Sequence, residues 1–190
     1  KAMMKLPALL DSTGMLACGE DLGMIPATVP QVMSDLRILS LEIQRMPKSV
    51  HDNFANPAWY PYLSVCTTST HDMNPIRAWW EEDRQVTEQF WHEMLGGQGE
   101  APYFCEPWIC RRILDQHVWS PAMLTILPLQ DWLSMDAQLR REDPNTERIN
   151  VPANSRHYWR YRMHLTLEQL AAADEFNQAL TDMIAASGRC

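Results

Sequence analysis

The features that would assign a protein to a membrane or a secretory route are missing from these 190 residues. No apolar run approaches the roughly 20 residues of a membrane-spanning helix, and no cationic, apolar signal peptide opens the chain. There is also no Asn-x-Ser/Thr acceptor for N-glycosylation. We therefore predict a soluble, cytoplasmic protein, either one globular domain or a piece of a larger one.

The usual sequence signature of a zinc site is also missing, because the five cysteines form no Cys-x-x-Cys pair. Cys105 and Cys110 are five positions apart, but no set of His or Cys partners stands beside them. We expect reduced, buried thiols, as in a cytoplasmic protein, and no metal site.

An excess of positive charge is the third absence. The chain has 16 Lys and Arg residues against 24 Asp and Glu residues, which gives a formal net charge of -8. This balance argues against a nucleic acid or an anionic membrane as the main partner.

The chain alternates between predicted strands and predicted helices. The strands are expected at residues 14–21, 38–46, 62–70 and 122–133, and the helices at residues 28–36, 75–95, 106–119 and 166–188. The last helix has a Thr166/Gln169 capping box at its start and Gly188 as its stop signal. Four β/α pairs predict an α/β fold with a parallel sheet covered by helices. A complete eight-stranded β/α barrel needs about 250 residues, so we predict that residues 1–190 form half of one.

Polar side chains follow three of the predicted strands, where the loops of a β/α barrel form the active site. They are Glu20 and Asp21 after the first strand, Thr70, His71 and Asp72 after the third, and Gln130 and Asp131 after the fourth. Carboxylates from different strands suit glycosidic-bond chemistry. One acid protonates the leaving oxygen, while others meet the positive charge that develops on the sugar ring.

Four motifs in a fixed order make the pattern more specific: GEDLGMIPATV, TTSTHDMNPIRAWWEED, LPLQDWL and ERINVPANSRHYWRYR. With these motifs, the segment from about Ala8 to Arg162 resembles the 4-alpha-glucanotransferase family, which comprises the amylomaltases and disproportionating enzymes of glycoside hydrolase family 77. The RMPK and HYWRYR forms look closer to the branch of larger enzymes that carry starch-binding modules ahead of the barrel.

The resemblance implies a (β/α)8 TIM barrel and a retaining transfer of α-1,4-glucan segments between malto-oligosaccharides and glucose or glucan acceptors. It implies that Glu20 is the general acid/base, that Asp72 supports the transition state and that His71 contacts the same sugar. The family places its nucleophile in an Arg-x-Asp motif on an earlier strand. We therefore expect this chain to be the C-terminal half of the enzyme and to be inactive by itself. The resemblance implies no metal or organic cofactor.

Further residues have weaker assignments. Asn150 and Trp159 lie in a motif that the family places near its substrate cleft. Arg45 leaves the second predicted strand and is expected either to pair with a catalytic carboxylate or to lie at the surface. Asp21 is expected to bind backbone amides at the start of the following helix, and Asp131 to make a structural contact.

Three alternatives stay open. The first is a catalytically silent glucan-binding fragment that keeps Glu20 and Asp72 only to bind hydroxyl groups. The second is an interaction module whose half-barrel edges pair with another chain. The third is part of an α-amylase-type hydrolase. The expected partners are a malto-oligosaccharide or glucan substrate and, through open strand edges, a second copy of the chain.

Overall fold

A computed structural model describes residues 1–189, which form two compact units. The first unit comprises residues 1–67 and 120–126, and the second comprises residues 68–119 and the rest of the chain from Leu127. Within the described residues, no helix has both the length and the apolar character needed to span a membrane.

The first unit contains a parallel sheet in the order β1-β2-β3. The strands are β1 (Ser40–Ile43), β2 (Ser64–Thr67) and β3 (Leu124–Thr125). Ser40 pairs with Ser64, and Val65 pairs with Leu124. All four residues of β2 are buried, which is typical of a central parallel strand covered on both faces. The predicted parallel pairing is confirmed for these strands.

Two of the predicted strands are wrong in extent. Residues 14–21 contribute only one parallel bridge, from Cys18 to Leu39, because Met15 and Leu16 are exposed and offer no buried apolar run. The fourth predicted strand ends after two residues, and a helix follows Pro128. A proline has no N–H to donate to a sheet, so it favours the end of the strand here.

The first unit has two helices, α1 (Ala2–Asp11) and α2 (Val29–Asp35), and a short 3-10 helix at Pro57–Trp59. The sequence did not predict α1, which has no buried residue. The structure confirms α2, which Thr28 precedes and which accommodates a proline in its first turn. Buried side chains of this unit include Met33, Leu39, Ile43, Tyr60, Val65, Cys66 and Ala122.

The second unit is helical in the part that the structure describes. Its helices are α3 (Ile76–Trp80), α4 (Arg84–Glu93), α5 (Pro107–Val118), α6 (Leu129–Leu133), α7 (Leu167–Ala171) and α8 (Asp174–Ala186), with a 3-10 helix at Pro144–Glu147. The predicted helix 75–95 is divided because Asp83 caps α4, where its side chain accepts hydrogen bonds from the amides of Gln85 and Val86.

The predicted C-terminal helix is also divided, into α7 and α8, but both of its end signals are confirmed. Thr166 and Gln169 form the reciprocal capping box at the start of α7. Gly188 follows the end of α8 with a φ of 72°, the left-handed conformation that terminates many helices.

α5 shows why the helical periodicity predicted its element well. Ile109, Cys110, Ile113, Leu114 and Val118 are all buried, and their spacing places them on one face of a helix. This face packs into the core of the second unit. Other buried apolar side chains there include Ile76, Trp80, Phe90, Leu95, Leu133 and Phe176.

Candidate active site

Four of the six predicted site residues come together in the second unit. The side-chain amide of Asn150 donates a hydrogen bond to Oδ1 of Asp72 at 2.6 Å, and its backbone N–H donates to the carbonyl of His71 at 3.2 Å. Nε2 of His71 lies 3.4 Å from Oδ2 of Asp72. The ring of Trp159 lies 4.9 Å from the His71 ring, measured between centroids. We call these four residues the HDNW cluster.

The segment that carries the first two members of this cluster is held by a buried carboxylate on α6. Oδ2 of Asp131 accepts hydrogen bonds from the hydroxyls of Thr68 and Ser69 at 2.6 and 2.7 Å. Its Oδ1 accepts the backbone N–H of Ile76 at 2.8 Å. Asp131 therefore ties the chain before the cluster to the first turn of α3. It is a structural contact, as the sequence predicted.

The segment that carries Asn150 is held by its own neighbours. Nε of Arg148 donates to the carbonyl of Asn150 at 2.8 Å, and Nε2 of His157 donates to the carbonyl of Ile149 at 2.8 Å. These bonds join the two ends of a polar loop that leads to Trp159. The loop therefore presents its amide to Asp72 and its indole ring to His71.

The polar groups of the HDNW cluster are accessible. The side chains of His71 and Asp72 are 52% and 49% exposed, and Trp159 is 56% exposed. A half-exposed carboxylate with one oxygen held by an amide can accept hydrogen bonds from hydroxyl groups, and the exposed indole beside His71 offers an apolar face. This combination suits a sugar ring.

The other two predicted site residues, Glu20 and Arg45, belong to the first unit. Glu20 is exposed and lies two residues after the Cys18 bridge. Arg45 is half-buried and lies two residues after the end of β1. Arg45 therefore follows a strand on its carboxyl side, whereas Glu20 follows a single isolated bridge instead of the predicted strand.

Asp21 is buried and structural, but its predicted amide partner is wrong. Its Oδ1 accepts the backbone N–H of Leu41 in β1 at 2.8 Å instead of an amide at the start of α2. Lys48 lies 2.7 Å from Oδ2 of Asp21 and 2.7 Å from Oε1 of Glu42. The sequence did not predict these two ion pairs of Lys48, because no short spacing along the chain links the lysine to either carboxylate.

The cysteines follow the prediction in part. Among the described residues, Cys66, Cys105 and Cys110 are buried and form no disulfide, whereas Cys18 is exposed, which makes the expectation of buried thiols wrong for that residue. The burial of Cys105 and its closeness to Cys110 raise the pKa of its thiol. Cys190 lies outside the described residues. Across residues 1–189, no three His, Cys, Asp or Glu side chains are grouped so as to hold a metal ion.

Comparison with known proteins gives consistent matches along the chain. The family model described as 4-alpha-glucanotransferase matches residues 1–167. The 4-alpha-glucanotransferase DPE2 of Oryza sativa subsp. japonica is 42% identical over 99% of this chain, and a 4-alpha-glucanotransferase of Chlamydia trachomatis serovar D is 31% identical over 92% of it. An amylomaltase from Streptococcus agalactiae, solved in complex with acarbose, superposes with a TM-score of 0.71 over 96% of the chain at 18% identity.

The matches cover only part of these proteins. The chain spans 20% of the rice protein, 33% of the chlamydial protein and 34% of the streptococcal one. The structural likeness, at this low identity, shows that the fold is shared. The family match covers far more than half of the chain, and its range includes Glu20, Asp72 and Asn150. The chain therefore belongs to the 4-alpha-glucanotransferase family, glycoside hydrolase family 77.

Proposed function

We propose that this chain is the C-terminal half of the (β/α)8 catalytic barrel of a 4-alpha-glucanotransferase. The observation that carries the proposal is the HDNW cluster. Asp72 and Asn150 are 78 residues apart in the sequence and come from two different family motifs, yet they share a 2.6 Å hydrogen bond. The parallel order of β1, β2 and β3 and the partial coverage of the relatives support the placement within a longer barrel.

Asp72 is the proposed transition-state stabiliser. Its carboxylate is oriented by Asn150 on one oxygen and faces His71 on the other. Because it is fixed before the sugar arrives, it can accept sugar hydroxyls and stabilise positive charge on the ring without reorganising. His71 and Asn150 are proposed to contact the same sugar, and Trp159 to pack against its apolar face.

Glu20 is the proposed general acid/base. An exposed carboxyl group at a loop that follows a sheet segment can reach a glycosidic oxygen in an open cleft. It protonates the leaving oxygen in the first half-reaction and removes a proton from the acceptor hydroxyl in the second. Arg45 is proposed to bind substrate. The carboxylate nucleophile is proposed to come from a part of the protein that this chain does not include.

The proposed substrates are malto-oligosaccharides or longer glucans, with a sugar hydroxyl as the acceptor. The support is the family match together with the streptococcal amylomaltase that was solved with acarbose. We also propose a cytoplasmic location, which is supported by four cysteines of the described residues that form no disulfide. Self-association of this chain through sheet edges and exposed apolar side chains is proposed as well.

The test of the acid/base assignment is Glu20→Gln in the complete protein, with glucose release from maltotriose as the readout. The amide keeps the size of the carboxyl but cannot transfer the proton, so we expect kcat to fall by roughly 10²–10⁴-fold. Glu100→Gln, which changes an exposed acid of the second unit, is the matched control and should retain activity. A fall of less than tenfold for Glu20→Gln would move the acid/base role to another residue.

The same assay tests Asp72→Asn against Asp52→Asn, a change of an exposed acid in the first unit. Because the charge of Asp72 matters most when the ring becomes cationic, we expect kcat to fall more than KM rises. A raised KM with unchanged kcat would reduce Asp72 to a ground-state binding group. Unchanged kinetics for both variants would remove the HDNW cluster from the proposed active site.

A further inference from the structure

A cationic cleft of about 290 Å³ lies in the second unit, and its lining includes no Asp or Glu side chain. Four arginines, Arg141, Arg148, Arg160 and Arg162, line it together with His157 and two tyrosines. The volume is near the lower end of pockets that accept small ligands. We call this feature the arginine cleft.

The concentration of positive charge here runs against the composition of the chain. Six of the 16 Lys and Arg residues lie between positions 140 and 162, where only three acidic residues occur, although the chain as a whole is acidic. One of the three acids, Glu147, is buried, lies 3.9 Å from Arg77 and also interacts with Arg141. Within residues 1–189, none of the four cleft arginines forms an ion pair at 4.0 Å or less.

Contacts inside the cleft hold two of its four guanidinium groups in place. Arg160 lies over the ring of Tyr158 at 5.0 Å, and Arg141 lies over the ring of Tyr161 at 5.6 Å. One terminal nitrogen of Arg141 donates to the carbonyl of Arg162. The buried Nε of Arg141 has no hydrogen-bond acceptor among the described residues. Aromatic faces and a carbonyl thus restrict Arg141 and Arg160, and N–H donors remain for a ligand.

We propose that the arginine cleft binds a phosphate monoester carried by a sugar. Guanidinium groups match the geometry of phosphate oxygens and form strong, paired hydrogen bonds with them. The sugar part of the proposal rests on the proposed function. Arg148 lines the cleft and also donates to the carbonyl of Asn150, so one short segment connects the cleft to the HDNW cluster. The ester is either a free hexose phosphate or a phosphate group on a glucan chain.

Binding is tested on the complete protein by calorimetry with glucose 6-phosphate, glucose and inorganic phosphate. We expect saturable binding of glucose 6-phosphate, competition by inorganic phosphate, and glucose binding at least about tenfold weaker. Phosphorylated maltodextrin is titrated in the same way. If it binds more tightly than glucose 6-phosphate, the ligand is the glucan-borne ester, and if it binds more weakly, the ligand is the free one. Glucose 6-phosphate that binds no better than glucose overturns the proposal. Inorganic phosphate that binds as tightly as glucose 6-phosphate overturns its sugar part.

Substitutions locate the binding. Arg160→Gln and Arg162→Gln change exposed side chains and should each weaken glucose 6-phosphate binding about tenfold, while Arg160→Lys should restore part of the affinity. Arg112→Gln, on the exposed side of α5, is the matched control and should bind as the parent protein does. Unchanged affinity in both cleft variants overturns the assignment.

Glucose release from maltotriose is measured separately on each protein. If the protein binds glucose 6-phosphate through these arginines but transfers no glucan, the proposed function is wrong and the anion site is confirmed. If the protein is an active transferase but binds no glucose 6-phosphate, only the proposed ligand of the arginine cleft is wrong.

Discussion

Glu147 carries a carboxyl group in the interior of the second unit, where its side chain has no exposed surface. Burial raises its pKa from 4.5 to about 7, the Arg77 guanidinium opposes the shift, and the Asp131 carboxylate adds to it. A carboxyl with a higher pKa in the folded state binds more protons there than in the unfolded state. Its contribution to stability is therefore present at low pH and is lost as the pH rises from about 4.5 to about 7.

Glu147→Gln should remove this pH dependence. The free energy of unfolding of the parent chain is expected to fall by up to about 3 kcal/mol through this group as the pH rises to 7.5, because each unit of pKa difference corresponds to about 1.4 kcal/mol. Urea unfolding at pH 5 and pH 7.5 measures the change. Glu142→Gln, which alters an exposed acid nearby, should keep the parent profile. Parallel profiles for the parent and Glu147→Gln would contradict the prediction.

At the scale of single residues, the sequence predicted side chains better than it predicted their partners. Asp72 and Asn150 were named because they stand in recognisable motifs, and the structure joins them by a hydrogen bond. The amide that binds Asp21 belongs to Leu41, and the cation beside it is Lys48. Both partners depend on how a loop folds against β1, and no short spacing in the sequence encodes that arrangement.

At the scale of elements, the end of α4 depends on a close contact between a glycine and a tryptophan. The backbone N–H of Gly97 donates to the carbonyl of Trp91 at 2.9 Å. A Cβ atom added at Gly97 would lie 1.9 Å from the Trp91 ring. That ring is buried and packs edge-to-face near Trp80 and Trp108. A movement of the ring would therefore disturb both of these contacts.

Gly97→Ala should therefore destabilise the chain by about 1–3 kcal/mol, the usual cost of overpacking a core. Urea unfolding measures the free energy, and near-UV circular dichroism reports the displaced tryptophan. The control is Gly14→Ala, where an added Cβ meets no atom within 4 Å and the stability should stay within about 1 kcal/mol of the parent. Equal unfolding midpoints for the parent and Gly97→Ala would show that the ring moves at no cost.

The elements that the sequence predicted are those with a strong local pattern. α5 has buried side chains at helical spacing, and α7 has a complete capping box. α1 was missed because its residues are mostly apolar with Pro7 among them, so its sequence shows no one-sided apolar stripe of the kind that marks a helix. Residues 129–133 were assigned to the exit of a strand, although Pro128 favours the helix α6. A local apolar run cannot distinguish a short buried strand from a short helix.

At the scale of the whole chain, the first unit exposes a large amount of apolar surface for its size. Met4 is 83% exposed and Leu9 is 62% exposed on α1, and Met15, Leu16 and Ile126 are each more than half exposed. In the same unit, β1 and β3 are the outer strands of the sheet. Apolar patches and sheet edges of this kind are the surfaces through which chains associate.

We therefore expect the 190-residue chain, expressed by itself, to form dimers or larger species. Burying the side chains of α1 against a second copy removes apolar area from water, and the gain increases with the number of exposed residues covered. Sedimentation velocity at several concentrations measures the distribution of species. The double variant Met4→Ser/Leu9→Ser should shift it toward the monomer, whereas Leu167→Ser, which changes an equally exposed residue of the second unit, should leave it unchanged. A monomer at every concentration, with a sharp cooperative melt, would show that these surfaces do not drive association.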